Sequence, residues 1–308
     1  MGKLAFVFSG QGAQKVGMAY SFYQSDPEIR ALFDEAERIR PQTLHQCFFG
    51  TEEELKLTEN TQPCLYLTDL AAALALKKAG LRPDGAAGFS LGELSALAYA
   101  GSFSYIDGFK ITIQRSLAMS RAAQTFPAGM AAIIKLSIEK AEQICASLLE
   151  VFPANYNSSS QLVVAGNPNS LKLLAAEVKQ AGGLCLPLAV SGGFHSPFMS
   201  PATGKFAAAL KNFLMKPANL PVYANSNAEI YRSEPSEWLV RQIDHPVLWQ
   251  KTIEQMASDG FDTFIEVGIG NTLQKLIRKI LPESHIFGVE TADDIAKVMK
   301  EVAAHAAG

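Results

Sequence analysis

Gly88-Phe89-Ser90-Leu91-Gly92 sets a serine between two glycines, and the residues around it could make that serine a nucleophile. Asp84 to Phe89 is a short apolar run entered through a Pro-Asp-Gly turn and reads as a buried strand. Leu91 to Ala100 is a good helix former. A serine at a sharp strand-to-helix turn is pushed out where a substrate can reach it, and the glycines allow the close backbone approach of such an elbow. The Leu91 amide then lies at a helix N-terminus, where an oxyanion is stabilised. A GxSxG match alone arises by chance in roughly one chain in ten of this length, as a mere glycine-rich turn, so its partners must decide.

Serine needs an adjacent base. Of the five histidines, His195 stands in Ser-Gly-Gly-Phe-His-Ser-Pro, a shaped loop. His245, before Pro246, is the second candidate; His45, His285 and His305 lie in less telling contexts. No carboxylate sits at an obvious spacing to orient the base. Asp244 is the nearest by context, and a backbone or side-chain carbonyl could serve equally, so a dyad and a triad both remain open.

A second oxyanion donor could come from Ser9-Gly10-Gln11-Gly12-Ala13-Gln14, where two glycines let the chain turn and expose amides. The same loop could be a simple strand-to-helix turn or a weak phosphate loop. GxGxxG is absent, because Lys15 takes the last glycine's place, which disfavours dinucleotide binding. Arg115 shares a helix face with Ile111, Ala118, Met119 and Ala122. A guanidinium on an apolar stripe is costly without a partner. That partner could be an internal carboxylate or a ligand carboxylate held by a bidentate fork. Arg121 falls on a more polar face, with Gln114 and Gln124, and reads as solvated.

The elements that must hold these residues alternate. Leu4 to Phe8 reads as a strand, Pro27 to Arg40 as a helix, 41–62 as polar and turn-rich, and Tyr66 to Ala79 as a helix closed by Gly80. The elbow follows, then a helix over Tyr105 to Ala123. From about 126 to 192 a β-α-β-α-β order suggests a small inserted subdomain: strands Met130–Leu136, Gln161–Ala165 and Leu184–Ala189, helices Ile138–Leu149 and Ser170–Gln180. The larger unit resumes with helix 201–215, strand Pro221–Ala224, a helix near 236–258 broken around Pro246, strand Thr263–Val267 and helix Thr272–Ile280. Such alternation implies an α/β fold with a mainly parallel sheet covered on both faces. The expected division is 1–125 with 193–308, and 126–192.

Composition agrees with this class. The chain has 308 residues, 48% hydrophobic and 19% charged, enough for one large domain or one large and one small. A formal net charge of −3 does not favour nucleic acid. No apolar span is long enough for a bilayer, so no membrane partner is expected. Leu4 to Phe8 is too short for a signal peptide, and Phe6 stands where a myristoylation signal wants Ser or Thr. Cys47, Cys64, Cys145 and Cys185 are scattered and read as buried thiols in a reducing cytoplasm. No metal ligand set stands out.

The ordered motifs resemble the malonyl-CoA:acyl carrier protein transacylases of fatty acid and polyketide synthesis over nearly the whole chain. The carriers are Phe6 to Gln14, Gly88 to Glu93, Arg115, Gly129 to Ile133, Asn155 to Gly166, Gly192 to Met199, Val240 to Trp249 and Glu266 to Gly270. The resemblance implies an α/β-hydrolase-like large subdomain with an inserted ferredoxin-like one. It implies Ser90 as nucleophile, His195 as base, the amides of Gln11 and Leu91 as oxyanion hole, and the Gln242 carbonyl as the group orienting His195. Arg115 would grip the malonyl carboxylate, with Asn157 and Phe194 also at the substrate. It implies a cytoplasmic ping-pong enzyme that needs no cofactor, with malonyl-CoA and an acyl carrier protein as partners.

Three positions depart from the family pattern: Phe89 for histidine, Gly193 for alanine and Ile269 for proline. Phe89 puts acyl preference in question more than the nucleophile. Phe194 directly before His195 resembles the arrangement by which polyketide acyltransferases exclude an α-methyl branch. Two other functions use the same residues: an acyl hydrolase clearing carrier proteins, and a non-catalytic carrier-docking module. Arg115 argues against the first, because a neutral acyl chain gains nothing from a buried cation. The intact Ser90, His195 and Arg115 set argues against the second. Lys275, Arg278 and Lys279 form a basic cluster that an acidic carrier could use, or simply a solvated helix face. A monomer is the default expectation.

Overall fold

The computed structural model describes residues 2–307. Its strands run β1 (Lys3–Phe8), β2 (Gly85–Gly88), β3 (Gly129–Ile134), β4 (Val151–Ser158), β5 (Gln161–Gly166), β6 (Leu184–Pro187), β7 (Val222–Tyr223), β8 (Phe261–Val267) and β9 (His285–Val289). They build two sheets. The first, in order β7-β2-β1-β8-β9, is parallel at every pairing. Leu4 to Phe8 is buried on both faces of β1, the signature of a parallel strand covered by helices on each side.

The second sheet, β4-β5-β3-β6, is antiparallel throughout. Helix Ile138–Ala146 joins β3 to β4 and helix Pro168–Gln180 joins β5 to β6, giving the β-α-β-β-α-β order of a ferredoxin-like unit. The sequence pattern has one strand fewer, because β4 (VFPANYNS) hides behind a proline and two asparagines of low strand propensity. Pro153 is tolerated because β4 lies at the sheet edge, where its register also slips. A backbone bridge pins that edge to the larger unit: Tyr156 N donates to Val247 O at 2.9 Å and Val247 N to Ala154 O at 2.9 Å.

The span 41–62 is more ordered than its polarity suggests. It holds helices Thr43–Phe48 and Glu52–Lys56, the latter started by a Thr51–Glu54 capping box, and the first turn of helix Thr58–Lys78. That helix starts eight residues before Tyr66 and runs through Pro63. Proline there cannot donate to the Glu59 carbonyl, and Arg40 Nη2 takes that carbonyl instead at 3.1 Å. Helix 201–215 is shorter than the pattern implies, ending at Leu210.

The elbow is packed to contact. A Cβ on Gly92 would lie 2.2 Å from the Phe8 carbonyl oxygen, and one on Gly88 1.9 Å from the Gly92 carbonyl carbon. Gly92→Ala must therefore push helix Gly92–Tyr99 off β1. A loss of about 3 kcal/mol is expected, read as a lowered urea midpoint; an unchanged midpoint would show that this backbone contact is not tight.

Candidate active site

Ser90 sits at the end of β2 with φ 54°, and His195 follows the small sheet with φ 58°. Left-handed backbone at two non-glycine residues is strain that surrounding structure must hold. For Ser90 that holder is Asn225: its Oδ1 accepts from Ser90 N at 2.7 Å, and its Nδ2 donates to Gly88 O at 2.6 Å.

The two strained residues meet. Ser90 Oγ lies 2.6 Å from His195 Nε2, and His195 Nδ1 lies 2.8 Å from the backbone oxygen of Gln242. A carbonyl only accepts, so Nδ1 carries the proton and Nε2 presents its lone pair to the Ser90 hydroxyl. Asp244, the carboxylate weighed from sequence, instead pairs with His245 at 2.7 Å and accepts from Ser200 at 2.8 Å. His195 therefore has a carbonyl behind it and no acid. Burial, then the nearby Arg115 cation, lowers His195 to about 3, so the imidazole is neutral at physiological pH.

Arg115 is fully buried on helix Tyr105–Thr125. Its Nη1 donates to Gln62 Oε1 at 2.8 Å; its Nη2 donates to Gln242 Oε1 at 2.7 Å and Ser90 Oγ at 3.1 Å. All three acceptors are uncharged, and Nε has no partner among the described residues. Burial lowers its pKa to about 10, so it stays cationic at neutral pH. The internal carboxylate that could have neutralised it directly is not in contact. Glu93 is linked to it by hydrogen bonds through the Gln242 side chain and acts on its charge through space.

A cleft of about 470 Å³ opens in front of Ser90 and His195. The Ser9–Gln14 loop forms one wall; Met130, Ala132 and Val163 of the small sheet form another. Gly10 packs so closely on the elbow that a Cβ there would lie 2.4 Å from Phe89 O. Ser9 Oγ anchors the loop to buried Asp69 at 2.8 Å. The backbone amides of Gln11 and Leu91 have no hydrogen-bond partner among the described residues. Phe194 and Asn157 line the cleft, and Asn157 Oδ1 is buried without a partner among the described residues.

The acyl transferase domain family matches residues 5–306. The malonyl CoA-acyl carrier protein transacylase of Bacillus subtilis is 36% identical over 288 residues, 91% of each chain.

The chain belongs to this acyl transferase family.

A solved malonyl CoA-acyl carrier protein transacylase from Clostridium perfringens superposes with a TM-score of 0.94 at 32% identity, covering 99% of this chain and 98% of that one. Another structure, a type II polyketide acyl-carrier protein in complex with its malonyl-transacylase, gives 0.90 at 30% identity over 97% and 99%.

Three residues of the site carry no loud sequence signal. Gln62 and Asn225 are polar residues in stretches read as a turn-rich segment and a strand end. Glu93 is the last residue of the elbow motif, yet nothing in its type announces full burial. Phe89 meets Trp249 edge-on, with ring centroids 5.5 Å apart. It gives the cleft an apolar wall beside the nucleophile. The buried Trp249 Nε1 has no acceptor among the described residues. Lys275, Arg278 and Lys279 are exposed on helix Thr272–Ile280, whose N-terminal residues reach the cleft. Among the described residues no helix is long and apolar enough to cross a membrane.

Proposed function

We propose that this chain transfers the malonyl group from malonyl-CoA to the phosphopantetheine thiol of an acyl carrier protein, for fatty acid or polyketide synthesis. One observation carries the reading: the hydroxyl that faces a neutral imidazole also faces a buried guanidinium that, among the described residues, touches no carboxylate.

In the first half-reaction His195 Nε2 takes the Ser90 proton as Oγ attacks the thioester carbon. The amides of Gln11 and Leu91 receive the oxyanion, each donor supplying about 3 kcal/mol. The C–S bond breaks, the imidazolium returns its proton to the departing CoA thiolate, and malonyl-Ser90 remains. Arg115 holds the distal carboxylate throughout. In the second half-reaction the carrier thiol gives its proton to His195 and attacks malonyl-Ser90; the acyl C–O bond breaks, and the imidazolium returns the proton to Ser90 Oγ. Phe194 and Asn157 shape the acyl end of the cleft. Every catalytic group comes from the chain, and no cofactor is called for. Residues 1–125 and 193–308 supply the nucleophile and base, and 126–192 roofs the cleft. The working form is a cytoplasmic monomer.

The intact mass of the protein after incubation with malonyl-CoA tests the reading. A malonyl adduct that persists alone and discharges onto added carrier protein is expected. Rapid release of free malonate without carrier would identify a hydrolase, and no adduct at all would sink both enzymatic readings.

Acid tolerance follows from His195. Its pKa is lowered from 6.5 to about 3 in the fold, so the base stays neutral as pH falls through 6.5. With a neutral acyl donor, the acid limb of Ser90 acylation should lie well below pH 6.5. A limb at the ordinary histidine value would contradict a desolvated base. The unfolded chain protonates this histidine below 6.5, so the same group costs the fold stability between pH 6.5 and 3.

A further inference from the structure

We propose that Glu93 is a positioning residue for malonyl recognition, acting through the Gln242 carboxamide to keep Arg115 aimed at the acyl carboxylate. The inference rests on the malonyl-transfer reading and deepens it.

Glu93 lies on helix Gly92–Tyr99 behind the elbow, fully buried and outside the cleft lining. Its carboxylate accepts from the Tyr231 hydroxyl, the Asn225 backbone amide and Gln242 Nε2. Gln242 Nε2 also donates to the Ser90 carbonyl at 2.7 Å. The amide nitrogen is thus held between two acceptors, and its oxygen has to face Arg115 Nη2, 2.7 Å away. The Ser90 carbonyl and the Glu93 carboxylate, neither able to donate, enforce this together. A group at 93 that can donate leaves the Ser90 carbonyl alone to hold the Gln242 carboxamide, so a turned form becomes populated that presents an NH2 group to the guanidinium and takes away one of its acceptors.

The group behind the clamp is also titratable within the working range, because burial raises Glu93 to about 7. Tyr231 and Arg115 face it and favour its ionised form; His195, beyond Ser90, is neutral. The carboxylate is therefore present above about 7 and lost below it. Malonyl-over-acetyl selectivity should rise with pH through this range. His195 titration cannot mimic that, because it acts on both acyl groups alike.

The test is the ratio of kcat/KM for malonyl-CoA to that for acetyl-CoA, followed between about pH 6 and 9. The wild-type ratio should rise with pH. In Glu93→Gln it should be flat and, at alkaline pH, lower by about tenfold, the worth of a hydrogen bond to a charged group. Tyr231→Phe keeps the carboxylate but removes a donor that favours its ionised form, so the rise should move to higher pH. This second variant decides the matter if Glu93→Gln does not fold. Equal loss of both activities in Glu93→Gln with the pH course intact, or an unmoved rise in Tyr231→Phe, would overturn the proposal alone. A wild-type enzyme with no malonyl preference would overturn the parent reading and this one with it.

Discussion

Ser90→Ala should abolish the malonyl adduct and lower transfer to the carrier by about 10⁵-fold or more, the scale seen when a catalytic serine is removed. The expectation follows from how many groups converge on one oxygen. Ser90 Oγ is within 2.6 Å of His195 Nε2 and 3.1 Å of Arg115 Nη2. Alanine leaves the imidazole, guanidinium and amides in place with nothing to activate. His195→Ala leaves the nucleophile without its base and should cost about 10²–10⁴ in rate. The two together should cost no more than Ser90→Ala alone, because the residues act as a unit. The fold should survive, since Ser90 is held by its backbone contacts to Asn225 and Gln242 rather than by its hydroxyl. Mass spectrometry after prolonged incubation reads the result, with thermal unfolding as the check on folding. An adduct of undiminished yield on Ser90→Ala would place the nucleophile elsewhere.

Arg115→Ala should lower malonyl loading by about 10²–10³-fold, as expected for two lost charge-assisted hydrogen bonds. Acetyl loading should hold or gain, because an acetyl group brings no carboxylate to the site. The selectivity ratio is the decisive number, since it cancels any general damage. Damage is expected: the guanidinium is fully buried and fills space between Gln62 and Gln242. Arg115→Lys should recover only part of the preference, because one ammonium cannot reach Gln62, Gln242 and a ligand carboxylate in the fork geometry of arginine. Equal losses for malonyl and acetyl would reduce Arg115 to a structural cation.

The legible parts of this chain were those where residue type and spacing carry the physics. β1 announced itself as an unbroken apolar run, and the elbow as two glycines where no Cβ can fit. Arg115 stood out as a charge on an apolar stripe. What escaped had no local cause. β4 is a strand because β5 pairs with it, not because VFPANYNS prefers to be extended. Helix Thr58–Lys78 begins early because Arg40, 19 residues before Glu59, takes the carbonyl that Pro63 leaves free. Gln62, Glu93 and Asn225 look like ordinary polar residues until the fold encloses them. The choice between Asp244 and a carbonyl behind His195 was likewise a question of three-dimensional reach.

The backbone bridge between β4 and Val247 bears on how this enzyme could be rebuilt. Val247 lies five residues after Gln242, whose carbonyl contacts His195 Nδ1 and whose side chain accepts from Arg115. The small sheet is therefore not a detachable cassette. A chimera that exchanges it to alter acyl choice has to take the Gln242–Val247 stretch with it, or the borrowed roof would arrive with its edge unsewn and the histidine's support out of register.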